Sequence, residues 1–153
     1  MGFVVKTTVW VTAFVGLLLM SGPAEAKGRK LRVRVSGCRH DAAATATRSP
    51  LAPGYGSFTV EVRGNDICVF HKDARYNCCA TVVVVLRRDR QTLVLTEKET
   101  YPGDQSPCKC VCYYDIRSRI EDLAPGDYTV EVRGPEGVLH TEAVRVTGEG
   151  RGG

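Results

Sequence analysis

The chain predicts an all-β protein, an antiparallel sandwich of about seven to eight strands. Three observations carry that prediction. Apolar and polar residues alternate with period two through most of the chain, no stretch has the period of an amphipathic helix, and turn signals rich in Gly, Pro, Asn and Asp separate the short runs.

The elements follow in order. Lys30-Leu31-Arg32-Val33-Arg34-Val35 is a first strand, apolar on one face and basic on the other. Asp41 to Gly56, rich in Ala, Thr, Pro and Gly, reads as a loop. Phe58 to Arg63 is a strand with Phe58, Val60 and Val62 inward, and Gly64-Asn65-Asp66 turns it into a hairpin partner, Ile67 to Phe70. Ala80 to Leu86 carries the valine run Val82 to Val85, which predicts a central strand covered on both faces. Arg87 to Gln91 turns the chain, and Thr92 to Thr96 returns. Cys110 to Ile120 is the longest predicted strand, with Cys112, Tyr114, Ile116, Ser118 and Ile120 on one face; in strand geometry Cys108, Cys110 and Cys112 all point the same way, inward or at the sandwich's end. Asp127 to Arg133 and Val138 to Val146 complete the set, each entered through a Pro- and Gly-containing turn. The tail from Gly148 to Gly153 is expected to be disordered, so the domain is expected to span 27–147.

Residues 1–26 read as a secretory signal. Lys6 gives a basic start, Val9 to Met20 is apolar but short for a membrane span, and Ala24-Glu25-Ala26 is a small-residue cleavage site. Cleavage there leaves 127 of the 153 residues, one domain by length, with all seven cysteines retained and neither Trp nor Met. The mature form is expected to be secreted or periplasmic, with no stable membrane span. The net charge is +4, but the basic residues are scattered along strand faces without interleaved aromatics, so a solvated face is expected and nucleic acid is not an expected partner.

Five cysteines fall in two clusters, Asn77-Cys78-Cys79 and Pro107-Cys108-Lys109-Cys110-Val111-Cys112. In an oxidising compartment they are either disulfide staples or a soft-metal site. On the disulfide reading, Cys78 and Cys79 pair with two of Cys108, Cys110 and Cys112, each bridge closing a loop of roughly 30 residues. Cys38 with Cys68 is the natural third pair, which leaves one member of the triple free to link a dimer. Seven cysteines in three bridges allow about 105 connectivities, so the pairing stays open. On the metal reading, His71 joins Cys78, Cys79, Cys108, Cys110 and Cys112 around Zn²⁺ or another thiophilic ion. Against it, no spacing is CxxC, and same-face positions on a flat strand stand about 7 Å apart. A third reading makes one cysteine a reactive thiolate beside His71, for a thiol-dependent enzyme or redox protein.

Of the other histidines, His40 belongs to a loop beside Cys38 and His140 to the exposed face of a terminal strand. Tyr113, Tyr114 and Asp115 alternate between faces, and no nucleophile elbow, HExxH or phosphate-binding glycine loop is present.

The segment Ile120-Glu121-Asp122-Leu123-Ala124-Pro125-Gly126-Asp127-Tyr128-Thr129-Val130-Glu131-Val132 resembles the late turn-and-strand segment of immunoglobulin-like and fibronectin-type sandwiches. There a Leu-x-Pro-Gly-x-Tyr pattern leads into a strand with its aromatic ring buried. The resemblance covers about a tenth of the chain and implies fold, not function. The antibody-type Cys…Trp…Cys core is absent, since Trp10 lies in the signal. More loosely, His71…Asn77-Cys78-Cys79…Pro107-Cys108-x-Cys110-x-Cys112-Tyr113-Tyr114-Asp115 resembles a pattern in small exported prokaryotic Cys-rich proteins of unknown function, which brings no activity with it. The sequence reading is thus a secreted, disulfide-stabilised, non-catalytic binding or structural module without a cofactor. Its extracytoplasmic ligand or protein partner would be met by the loops Asp41 to Gly56 and Thr100 to Pro107.

Overall fold

A computed structural model describes residues 30–39, 56–103 and 105–148. The expected signal segment, His40, nearly all of the 41–56 loop and the tail beyond Gly148 lie outside the described residues. Eight strands are formed: β1 (Leu31–Arg39), β2 (Ser57–Arg63), β3 (Asp66–Asn77), β4 (Thr81–Asp89), β5 (Thr92–Thr100), β6 (Val111–Ile120), β7 (Gly126–Gly134) and β8 (Gly137–Val146). They build two four-stranded sheets, ordered β1-β6-β3-β2 and β4-β5-β7-β8, which make a β-sandwich. Among the described residues no helix is long and apolar enough to cross a membrane.

Three expectations are corrected here. The sandwich is not wholly antiparallel, because β5 and β7 pair in parallel, from Thr92 opposite Thr129 to Thr96 opposite Arg133. A parallel pair needs a long crossover, and the chain supplies one by placing β6 in the opposite sheet between them. The valine run is not central: β4 is an edge strand, and Val85 is 49% exposed. Consecutive valines satisfy β propensity on an edge as well as in a centre, so the run reports strand rather than position. The longest strand is β3, with 12 residues; β6 begins only at Val111, so Cys108 and Cys110 precede it.

The alternation sets the core. In β3, Ile67, Val69, His71, Ala74 and Tyr76 are buried, and in β6 every second residue from Cys112 to Ile120 is buried. One apolar cluster gathers Ile67, Val69, Leu93, Leu95, Ile120, Tyr128, Val130 and Val146. A second gathers Ala74, Tyr76, Val82, Cys112, Tyr114 and Ile116. The β2–β3 hairpin closes on Gly64-Asn65, with Arg63 opposite Asp66. Gly64 supplies the positive φ of 60° that a tight two-residue turn requires. Leu123 is anchored beside it, its amide donating to the Asn65 carbonyl at 2.8 Å.

A bulge between His71 and Ala74, where Asp73 takes a φ of 57°, shifts the alternation of β3 by one residue, so that Ile67, Val69 and His71 before it and Ala74 and Tyr76 after it are all buried. Arg39, the last residue of β1, clamps this irregularity. Its guanidinium donates to both Asp115 oxygens at 2.8 Å and to Asp73 at 2.7 Å, while the Asp73 amide donates to Asp115 at 3.2 Å. The hydrogen bonds from Arg39 pull the Asp115 carboxyl down to about 2.

A group whose folded pKa is depressed contributes stability above its unfolded value, and loses it as pH falls through the folded one. Asp115→Asn should therefore lower the urea midpoint at neutral pH. The gap between wild type and variant should close between about pH 4 and pH 2. Parallel urea titrations at pH 7, 4 and 2 check this, and a gap constant across that range would contradict it.

Candidate functional site

Three disulfides lie at one end of the sandwich, where β1 and β3 end and β4 and β6 begin. Cys38 bonds Cys112, Cys78 bonds Cys110 and Cys79 bonds Cys108, with Cα separations of 4.9, 5.6 and 5.7 Å. The last two close loops of 32 and 29 residues and the first one of 74. Bridges of this span typically stabilise by about 2–4 kcal/mol each. The sulfurs of Cys78, Cys79, Cys108 and Cys110 lie within 4.8 Å of one another.

Asn77 organises this knot. Its carboxamide oxygen accepts from the amides of Cys79 at 3.0 Å and Cys108 at 3.2 Å, and its Nδ2 donates to the Cys108 carbonyl at 2.7 Å. One side chain thus ties together the backbones of two bonded cysteines from distant loops. The Asn77 amide donates to Glu99 at 2.6 Å, and its carbonyl accepts from the Tyr114 hydroxyl at 3.2 Å and the Ala80 amide at 3.1 Å. Glu99 also accepts from Tyr101 at 2.9 Å. An amide carries donors and an acceptor on one planar group, so neither Asp nor Ser could replace all three side-chain bonds. Asparagine beside vicinal cysteines was visible in the sequence, but its role depends on Cys108, which only the fold brings near.

The two clusters meet, with Cys78 and Cys79 each bonded to one of the triple as expected, and the departure is in the third pair. Cys38 pairs with Cys112, not with Cys68, and all of the Cys108, Cys110 and Cys112 triple is bonded. The end of β1 reaches the start of β6, whereas Cys68 sits at the other end of β3, opposite Glu61 and Arg119 on the outward face. The free cysteine is therefore Cys68. Burial raises the Cys68 thiol pKa, with Arg63 and Arg119 opposing that shift only in part. The three thiols of the triple do not share one face either. Cys112 is buried in the core, while Cys108 and Cys110 lie on irregular chain with Cys110 exposed.

His71 joins no cysteine. It is buried at 1% exposure, and its Nδ1 lies 2.9 and 3.1 Å from the two oxygens of Glu97, itself 3% exposed. A carboxylate only accepts, so the proton of that contact sits on Nδ1. The Tyr76 hydroxyl donates to the same carboxylate at 2.5 Å, and burial, with Glu97 adding to it, drives the Tyr76 phenol far above its ordinary range. His71 and Tyr76 come from β3 and Glu97 from β5, so the trio bridges the two sheets. Phe58 stacks on His71 at 4.0 Å and on His140 at 4.9 Å, which places His140 against the β2 edge rather than on an exposed face. A Cβ on Gly56 would lie 2.9 Å from His71 Nε2 and 2.2 Å from the Lys72 carbonyl, so only glycine allows the chain to pass there.

Among protein-family models, curated proteins and solved structures, none matches this chain. The members of the trio that the sequence reading passed over are Glu97 and Tyr76. Glu97 shares the inward phase of Leu93 and Leu95, so a carboxylate on an apolar face was the available signal.

His71→Leu should destabilise by about 3–5 kcal/mol, because it leaves the Glu97 charge buried without its partner. The double variant His71→Leu with Glu97→Leu should recover a large part of that loss. Denaturant midpoints of the two variants decide it, and equal loss in both would mean that packing, not charge, dominates. Asn77→Ala should cost about 1–3 kcal/mol through the amides of Cys79 and Cys108 that lose their acceptor, read as a lower urea midpoint with the disulfides intact.

Proposed function

We propose that this chain is a small exported, disulfide-stabilised binding or structural module without catalytic activity, built on an immunoglobulin-like sandwich. The observation that carries the reading is that six of the seven cysteines form three cross-links at one end of the fold. Sets of this kind persist in oxidising compartments and are rare in the cytosol. The leader-like pattern of residues 1–26 supports the same compartment. The Tyr128 hydroxyl donates back to the Ala124 carbonyl at 2.8 Å, an arrangement like the tyrosine corner of immunoglobulin-like domains, which supports that fold assignment. The parallel β5–β7 pair is a departure from the wholly antiparallel scheme.

The absence of catalysis is argued from the His71, Glu97 and Tyr76 trio, which has acid–base chemistry but is sealed from solvent. Recognition is assigned to the knotted end, where β5 ends at Thr100 and the bonded Cys108 and Cys110 precede β6. A hollow of about 290 Å³ lies there, lined by Arg75, Tyr76, Asn77, Glu99, Tyr101, Pro107 and Val111. Among the described residues, Arg75 Nη1 is buried there without a hydrogen-bond partner. A disulfide-linked dimer, if one forms, would run through Cys68.

A second reading rests on the four clustered sulfurs of Cys78, Cys79, Cys108 and Cys110. Reduced, they would offer a thiolate set suited to Zn²⁺ or another thiophilic ion. His71 and Cys112, included in the sequence expectation, stand outside this cluster, His71 bound to Glu97 and Cys112 buried in the core.

Intact mass of protein isolated without reductant separates the two. The denatured, unreduced chain should be about 6 Da lighter than the fully reduced one, two hydrogens for each of three bonds. A fully reduced mass with metal retained in the native spectrum would replace the first reading by the second.

A further inference from the structure

We propose that the outward face of the β1-β6-β3-β2 sheet carries an oxyanion site, taking a phosphate or sulfate monoester of a small organic molecule, with Arg34 and Arg117 as its recognition pair. The site stands on an arginine ladder and is independent of the state of the disulfides.

The register builds it. In one row across the sheet Arg34 of β1 faces Arg117 of β6, which faces Phe70 of β3, which faces Thr59 of β2. In the next row Arg32 faces Arg119, then Cys68, then Glu61. Like charges directly opposite on neighbouring strands destabilise a sheet, and here two such pairs are stacked on adjacent rows. The second row is internally compensated. Arg32 binds Glu121 at 2.8 Å, Arg119 binds Asp66 at 2.9 Å through Nε, and Arg63 binds Glu61 at 2.6 Å. The first row is not compensated, since among the described residues neither Arg34 nor Arg117 has a carboxylate partner. The acid two positions before Arg117 on the same face, Asp115, is already held by Arg39. Arg117 is instead positioned by a cation–π contact, its guanidinium carbon lying 4.9 Å from the Phe70 ring centroid.

These groups line a hollow of about 530 Å³ together with Thr59, Ser118 and Arg63. Five arginines line it, against Glu61 within it and Asp66 and Glu121 at its rim, a surplus of two positive charges. Two guanidiniums suit a doubly charged tetrahedral oxyanion, each able to donate two parallel bonds. The volume is that of a small-molecule site, larger than a bare anion needs, which leaves room for an organic body beside Phe70.

The test uses the oxidised, secreted form in low-salt buffer free of phosphate and sulfate. Phenyl phosphate, inorganic pyrophosphate and sulfate are titrated calorimetrically, and the rate of maleimide labelling at Cys68 is followed in parallel. Phenyl phosphate should bind, weaken with added salt, and slow Cys68 labelling severalfold. Arg34→Gln and Arg117→Gln should each weaken it about tenfold or more, while Arg87→Gln on the opposite sheet leaves it unchanged. Should Arg117→Gln fold poorly, Arg34→Gln carries the comparison, since among the described residues that side chain has no hydrogen bond or ion pair. The proposal is overturned by no binding of any probe, by binding equal in wild type and Arg34→Gln, or by binding confined to phosphatidylglycerol vesicles, which would indicate a membrane-facing surface instead. The mass measurement on the disulfides is a separate readout, so either reading can fail alone.

Discussion

The sandwich depends on a buried histidine–carboxylate hydrogen bond and a hydroxyl placed where apolar side chains would be expected. His71, Glu97 and Tyr76 lie between the two apolar clusters and reach across from β3 to β5. A dry interior makes such a contact strong when satisfied and severe when half removed. It also fixes register. A slip of one residue in either strand would turn His71 or Glu97 outward and strand the other in the core. The apolar residues flanking the trio could tolerate exchange among themselves; the trio could not, and so it specifies which residues of the two sheets face each other. Gly56 and Phe58 complete its walls, one by having no side chain and the other by stacking.

The two ends of the molecule are held differently. At one, hairpin turns and backbone bonds such as the Leu123 amide to the Asn65 carbonyl close the chain. At the other, irregular segments carry two of the three disulfides beside the Asn77 network, and the third, Cys38–Cys112, joins the end of β1 to the start of β6. The covalent links sit where regular hydrogen bonding runs out, which accounts for three cross-links in a chain long enough to bury a core without them. Arg39 continues this arrangement up β1, so that the edge strand is fastened by a disulfide and by a two-carboxylate clamp on adjacent residues.

Much of this was legible in the sequence. Period-two alternation located the eight strands, because the side-chain period of a strand follows from covalent geometry alone. The approach of Cys78 and Cys79 to the later triple could be anticipated from strand proximity. Other features could not be read. The alternation that correctly placed Cys112 inward also placed Cys108 and Cys110 there, since periodicity does not announce where a strand begins. Strand order is likewise invisible to a local pattern, so the valine run was assigned to the centre and Cys38 to Cys68. Glu97 was readable as an anomaly but not as a partner of His71. The arginines of β1 and β6 looked like an ordinary solvated face until the register set them opposite one another.

The parallel pairing of β5 with β7 bears on how the chain reaches this state. Each sheet contains segments made by neighbouring strands, β2–β3 in one and β4–β5 and β7–β8 in the other, and these can form from local contacts. The joint between the two hairpins of the second sheet has no local route. The chain linking β5 to β7 contains β6, which belongs to the first sheet, where it lies between β1 and β3. The second sheet is thus completed around a strand committed elsewhere. Neither layer can be finished as an independent unit, and closure entropy must be met before the central contacts return anything. The fold therefore acquires its two layers together, with its slowest event expected to be the docking of β6 rather than the formation of any one hairpin.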